Sequence, residues 1–208
     1  MRNGRRRARH SARLLKSALR PYEPLTGGAE VLNAEYGRGD WDYLIGEREI
    51  PRFNVVCGYC QRTTRRPRVL EVGCGEGLLA DQLTPERFEQ FVGVDIAAPA
   101  VERALARSLP NSCFIAADAA EFAPSMSFDV IVFNEVLEYF TDPVQLVQRY
   151  EKWLVPGGEF VVSQYRADDD ARTRKIWRGL HRRYTTRLRT RVTTANLTWT
   201  IEAFAPPV

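Results

Sequence analysis

Long apolar runs are missing from this chain of 208 residues. No stretch approaches the ~18 consecutive apolar residues needed to cross a bilayer, so no membrane span is expected. Cysteine is scarce: the four present lie at uneven spacings, which excludes a disulfide framework of the secreted kind and points to a reducing, cytoplasmic setting. Histidine is scarcer still. His10 falls in a basic leader and His181 at a helix end, and neither is placed for catalysis. Cys57-Gly58-Tyr59-Cys60 is a C-x-x-C pair, but it sits late in a helical segment ahead of the first strand and no two further ligands accompany it, so neither a redox nor a metal site is expected there. Acids are absent from residues 1–20, which hold eight Lys or Arg; the remainder carries 22 basic against 26 acidic residues. The net charge of +4 therefore comes from the leader rather than the body. That leader reads as a flexible, solvated segment, with attachment to nucleic acid or an anionic surface, or service as a presequence, as the alternatives.

What is present is ordinary for one globular domain, with 44% hydrophobic and 27% charged residues. Residues 1–28 are assigned to the leader and 29–208 to a single domain. Ala29 to Tyr36 and Glu47 to Arg62 are predicted as two helices forming an N-terminal cap over 29–66. From Val69 the pattern becomes strand, helix, strand, repeated. Strands are expected at Val69–Val72, Phe91–Asp95, Cys113–Asp118, Phe128–Asn134 and Glu159–Tyr165, with Pro156-Gly157-Gly158 as a turn before the fifth. A polar helix is expected over Asp168–His181, then strands over Tyr184–Val192 and Leu197–Phe204. Their connection, Thr193 to Asn196, permits only antiparallel pairing. The fold class is α/β: a Rossmann-like, doubly wound, seven-stranded sheet, mostly parallel, with an antiparallel last strand.

The strand at Val69 runs into Gly73-Cys74-Gly75-Glu76-Gly77 and then a helix. Glycines at such a junction let a backbone approach a ligand closely. A dinucleotide site is expected to show G-x-G-x-x-G, and here the third glycine comes one residue early; a phosphate loop would need a Walker lysine, which is lacking. Asp95 closes the second strand, where a carboxylate can accept from both ribose hydroxyls, and Asp118 closes the third, where a carboxylate suits an adenine amino group. Glu71, Glu76, Asp95, Asp118 and Glu135 make the crevice acidic. A cationic ligand with an adenosyl group fits this set better than a pyrophosphate does.

The residues Glu71-x-Gly73-x-Gly75-x-Gly77, Asp95, Asp118-Ala119, Phe128-Asp129-Val130-Ile131 leading to Asn134-Glu135-Val136-Leu137, and Leu154-x-Pro156-Gly157-Gly158 resemble the class I S-adenosylmethionine-dependent methyltransferases. The resemblance covers residue 67 to the end, and Phe128 to Gly158 is similar to the NodS-like N-methyltransferases that modify amino sugars. It implies S-adenosylmethionine as cofactor, with S-adenosylhomocysteine as product. Glu71, Gly73, Cys74, Gly75 and Gly77 would lie at the methionine part, Asp95 with Ile96 at the ribose, Asp118 with Ala119 at the adenine, and Asn134 with Glu135 at the methyl end.

Methyl transfer is an in-line displacement whose electrophile comes with the cofactor, so the protein's task is to hold the acceptor. Glu138 and Tyr139 are the candidates for that role; the family often carries histidine at the position of Tyr139, so no imidazole base is available there. Neither Asn-Pro-Pro-Tyr nor Asp-Pro-Pro-Tyr follows the fourth strand, which argues against acceptors such as the exocyclic amine of adenine. Tyr36 and Trp41 are candidates for an aromatic lid or substrate contact, with Tyr165 and Tyr22 weaker ones of the same kind. Arg166 to Arg191 holds ten basic residues and three acids. This segment would attract an acidic or phosphorylated substrate or RNA, or simply form a solvated face. The expected function is methylation of an O or N of a small molecule, such as a saccharide, amino sugar or secondary metabolite. RNA or protein methylation, and a non-enzymatic cofactor-binding or scaffold role, are the alternatives. Oligomeric state is left open.

Overall fold

The computed structural model describes residues 24–25, 28–165 and 170–207. Expectations placed on residues 1–20, Tyr22, Arg166, Asp168 and Asp169 lie outside these. The chain forms a seven-stranded sheet in the order β3-β2-β1-β4-β5-β7-β6. The strands are β1 (Arg68–Val72), β2 (Gln90–Asp95), β3 (Ser112–Ala116), β4 (Phe128–Asn134), β5 (Leu154–Tyr165), β6 (Thr185–Thr194) and β7 (Leu197–Ala205). β1 to β5 pair in parallel, while β7 runs antiparallel to both β5 and β6. One reversed strand, the last in sequence, completes a Rossmann-like fold.

Among the described residues six α-helices surround the sheet: α1 (Ala29–Gly37), α2 (Ile50–Cys60), α3 (Leu78–Leu83), α4 (Ala98–Ala106), α5 (Pro143–Tyr150) and α6 (Ala171–Arg183). Side chains alternate along each strand, so both faces of the sheet need cover. Val69, Val130 and Val132 join Phe53, Leu79, Leu83 and Val101 from α2, α3 and α4 in one core. Leu70, Val72, Ile131 and Phe133 join Val147, Tyr150, Trp177 and Leu180 from α5 and α6 in the other. A small third cluster, Tyr36 with Ala97 and Ala100, seats α1 against α4.

Three local expectations change. β5 begins at Leu154 instead of Glu159 and carries Pro156-Gly157-Gly158 within it. Its register to β4 jumps from Phe128↔Leu154 to Val130↔Glu159, so these residues form a bulge with Gly157 at φ 80° rather than a separate turn. The hairpin between β6 and β7 is tighter than expected: Thr194 pairs with Leu197, leaving only Ala195-Asn196 to turn, with Ala195 at φ 51°. Finally, the alternation of strand and helix lapses between β3 and β4. There the backbone is satisfied from α5, with Arg149 donating to the carbonyls of Glu121 and Phe122 at 3.1 and 3.2 Å and the Tyr150 hydroxyl donating to Ala119 at 2.8 Å. No helix among the described residues is long and apolar enough to cross a membrane.

Candidate active site

The carboxyl ends of β1, β2, β3 and β4 open into a single cavity of about 370 Å³, roofed by α1 and the turn Asp42–Ile45. Its floor is the turn after β1. The amides of Gly73 and Cys74 both donate to the Val94 carbonyl, at 2.8 and 3.1 Å, and the Gly75 amide donates to Asp95 Oδ2 at 2.8 Å. Asp95 Oδ1 accepts the Ala97 amide at 2.9 Å. This one carboxylate thus ties the glycine turn to the start of α4. Burial raises its pKa, against the amides of Ala97, Gly75 and Ile96 that hold its charged form. Those amides occupy about three of the carboxylate's four lone pairs, so a hydroxyl can still be bound.

Gly75 has φ 51°, and a Cβ built on it would stand 2.7 Å from the Tyr36 hydroxyl. Gly73 has φ 76°, and a Cβ there would collide with the Val136 side chain. Both positions therefore exclude other residues, on backbone strain and on space. Gly77 is different in kind. It packs against Phe114 and Ala104 and is absent from the cavity lining, so its contribution is to shape the turn and launch α3. Asp118 is exposed at the mouth, its Oδ1 accepting the Ala120 amide at 2.8 Å. Ile96 and Ala119 line the same end.

At the back of the turn, Glu71 is 2% exposed. Its Oε1 accepts from Asn134 Nδ2 at 3.4 Å, and its Oε2 is buried without a hydrogen-bond partner. Burial pushes the Glu71 carboxyl up to about 8, opposed by the Asn134 hydrogen bond and the Arg52 charge. Asn134 Oδ1 in turn accepts from the Arg52 guanidinium. Arg52, 2% exposed, pairs with Glu49 at 3.2 Å and lies over the Phe53 ring at 4.2 Å. It couples the cap helix α2 to the end of β4 and lines the cavity. Sequence reasoning missed it: in a chain with 30 Lys and Arg, nothing but its spacing of three from Glu49, beside the apolar stripe of α2, marks an arginine that turns inward. Arg103 was also missed. It pairs with Glu76 at 2.5 Å and donates to the Tyr36 carbonyl at 2.9 Å, pinning cap to turn.

The segment leaving β4 builds the opposite wall. Glu135 holds a positive φ of 60°, and its carboxylate accepts from Ser163 Oγ at 2.6 Å and from the Tyr165 amide at 2.8 Å. These bonds knit the ends of β4 and β5 together. Glu138 is buried; burial, with the Glu135 carboxylate adding to it, raises its pKa well above the usual range, while Arg172 opposes. Its backbone carbonyl accepts the Leu25 amide at 2.9 Å, which sets Leu25 against this wall. Burial and the Glu138 charge likewise raise the Tyr139 phenol. Tyr36 and Trp41 stack at 5.7 Å, and Tyr165 meets Trp199 at 5.8 Å. Glu71, Gly73, Cys74, Gly75, Asp95, Ile96, Asp118, Ala119, Asn134 and Glu135 are thus brought to one cavity together with Glu138, Tyr139, Tyr36, Trp41 and Tyr165. Cys57 and Cys60 lie elsewhere, as buried free thiols on α2.

A family model described as a methyltransferase domain matches residues 5–204. The chain belongs to the class I S-adenosylmethionine-dependent methyltransferases. Among curated relatives, phosphoethanolamine N-methyltransferase 1 of Arabidopsis thaliana is 34% identical over 103 residues, covering 47% of this chain and 21% of that protein. The ubiquinone biosynthesis O-methyltransferase of Idiomarina loihiensis is 36% identical over 102 residues, covering 46% of this chain and 41% of that protein. The matched region thus spans about a fifth of the first relative and two fifths of the second. Among solved structures, the N-methyltransferase NodS from Bradyrhizobium japonicum WM9 in complex with S-adenosylhomocysteine superposes with a TM-score of 0.73 at 22% identity, over 86% of this chain and 98% of that one. Magnesium protoporphyrin IX methyltransferase from Synechocystis PCC 6803 with bound S-adenosylmethionine gives 0.68 at 14% identity, over 85% and 96%. At these identities the likeness is one of fold. The cofactor of this methyltransferase family is S-adenosylmethionine, and the site fits it: a glycine floor that a Cβ would fill, and an orphaned Glu71 oxygen suited to a cationic amino group.

Proposed function

We propose that the protein, as a single domain over residues 29–208 with a helical cap at 29–66, methylates an oxygen or nitrogen of a small molecule. The observation that carries this reading is the continuity of the cavity, whose lining includes the Gly73–Gly75 floor and Asp95 together with the aromatic side chains of Tyr36, Trp41, Tyr139 and Tyr165. Glu71, Gly73, Cys74 and Gly75 hold the methionine part, with Gly77 setting the turn. Asp95 and Ile96 take the ribose, Asp118 and Ala119 the adenine, and Asn134 with Glu135 flanks the methyl group. The cofactor supplies the electrophilic methyl carbon. Tyr36, Trp41 and Tyr165 exclude water and confine the acceptor, and Glu138 and Tyr139 orient it. Such positioning is worth roughly 7–11 kcal/mol of the barrier.

A second reading, with RNA or protein as acceptor, draws on exposed Arg178 and Arg182 of α6 and Arg187 of β6. The acidic lining of the cavity opposes the entry of a polyanion. Incubation with radiolabelled S-adenosylmethionine and separate pools of metabolites, RNA and protein decides the matter. Label is expected in the metabolite pool; label confined to RNA or protein would transfer the assignment to the second reading, and label in none would remove both.

A further inference from the structure

Of the parts that enclose the cavity, the roof is the least embedded. α1 buries a single side chain, Tyr36, and the turn Asp42–Ile45 buries none. The Tyr36 ring packs against Ala97 and Ala100 with Leu32 and Trp41 beside it, and its hydroxyl stands over the floor, 2.7 Å from where a Cβ on Gly75 would be. An element with so little buried apolar surface lies at the low-stability end of a fold, where local opening is easiest. The closed position of the roof therefore leans on the polar contacts that reach it from the body.

Arg103 on α4 supplies three of them. Its Nη2 donates to the Tyr36 carbonyl at 2.9 Å, while Nη1 pairs with Glu76 at 2.5 Å and lies 3.8 Å from Asp42. One planar guanidinium thus touches α1, the turn after it and the glycine turn at once, which its rigid fork of donors permits and a lysine ammonium would not reproduce. The lower side of this junction is fixed. Arg107, one helical turn further along α4, donates to the Glu76 carbonyl at 2.7 Å and pairs with Asp81 of α3 at 3.0 Å. An isolated exposed ion pair contributes little, since two flexible side chains must be ordered for one contact. Here Glu76 is only 11% exposed, and its carboxylate aims the guanidinium at the Tyr36 carbonyl.

We propose that Arg103 is the latch of the roof, a positioning residue that holds Tyr36 over the Gly75 floor and thereby sets how slowly the bound cofactor and its product leave. The inference rests on the cofactor reading of the cavity. Arg103 is absent from the cavity lining, so it touches no reacting atom; it acts through Tyr36, and Glu76 acts on the roof through Arg103. Without the guanidinium the roof opens more often and the ligand escapes faster, although the glycine floor and Asp95 are unchanged.

The test uses the full chain and S-adenosylhomocysteine. Calorimetric titration first establishes one-site binding; bound tritiated ligand is then chased with unlabelled ligand to give the release rate. Arg103→Met keeps the apolar stem and removes every donor, and release is expected to be about 10-fold faster than from wild type. Glu76→Gln is expected to speed release by a smaller factor, and the double variant to release no faster than Arg103→Met alone. A merely structural defect lowers the number of sites per chain and leaves the release rate of the surviving sites where it was. Unchanged release from Arg103→Met, or factors that multiply in the double variant, would overturn the latch while leaving the cofactor site intact. Failure of the first titration with wild type would instead count against the cofactor reading.

Discussion

The half of the cavity proposed to hold the cofactor is built largely from backbone. Its floor is the amides and bare α-carbons of Gly73 and Gly75, locked by Val94 O and the Asp95 carboxylate, all within two consecutive strand–turn units. The half proposed to hold the acceptor is built from side chains that converge from distant parts of the chain: Arg52 on α2, Glu138 after β4, Tyr165 at the end of β5 and Trp199 on β7, with Tyr36 on α1 reaching over to the Gly75 floor. A backbone floor needs particular residues at fixed spacing, so it leaves a motif in the sequence. A side-chain wall needs only that the fold bring suitable groups together, and many residue choices satisfy it.

Arg52 joins the halves, so its loss is expected to have the largest effect. Arg52→Met removes the guanidinium that pairs with buried Glu49 and donates to Asn134, for a loss of about 3–5 kcal/mol in denaturant-derived stability. Adding Glu49→Gln is expected to restore part of it; an Arg52→Met protein as stable as wild type would show that the two halves are not coupled there. Asp95→Ala acts on one half. It frees the amides of Gly75 and Ala97 and removes the proposed ribose acceptors, and S-adenosylhomocysteine affinity is expected to fall about 100-fold, corresponding to two charge-assisted hydrogen bonds.

The same contrast explains what could be read in advance. The parallel order, the reversed β7, the glycine turn, Asp95 and Asp118 follow from alternation, turn chemistry and strand ends, which are local properties. Arg52 and Arg103 were not legible, because an inward-facing arginine is recognisable only from the groups opposite it, and Asn134 lies 82 positions from Arg52 in sequence. The Pro156-Gly157-Gly158 bulge was misread for a related reason. A proline and two glycines signal a turn locally, but β4 continues alongside them and keeps the chain in the sheet.

Glu71 offers a subtler probe, since it belongs to the cofactor half yet touches Asn134 of the linking network. Its carboxyl is raised in the folded protein from 4.5 to about 8. The folded state therefore keeps a proton that the unfolded state releases, and stability from this group falls as pH rises between those values, then levels off. Glu71→Gln should cancel that slope, so the stability difference between variant and wild type is expected to grow in the variant's favour from about pH 5 to 8. A difference independent of pH would assign the carboxylate a charged folded state throughout. Tyr139→Phe should be the mildest change: S-adenosylhomocysteine binding unaltered, and turnover on the acceptor reduced by only a few-fold, in keeping with loss of one orienting hydrogen bond. A parallel fall in cofactor affinity would place Tyr139 in the wrong half.

The central claim, that the turn after β1 is the seat of the methyl donor, is tested most directly by titrating S-adenosylhomocysteine into wild-type and Gly75→Val protein of matched thermal stability. Valine at φ 51° would be strained, and its Cβ would occupy the floor beside the Tyr36 hydroxyl. The account predicts saturable one-site binding to the wild type and none to the variant. Equal affinity in the two proteins would contradict it.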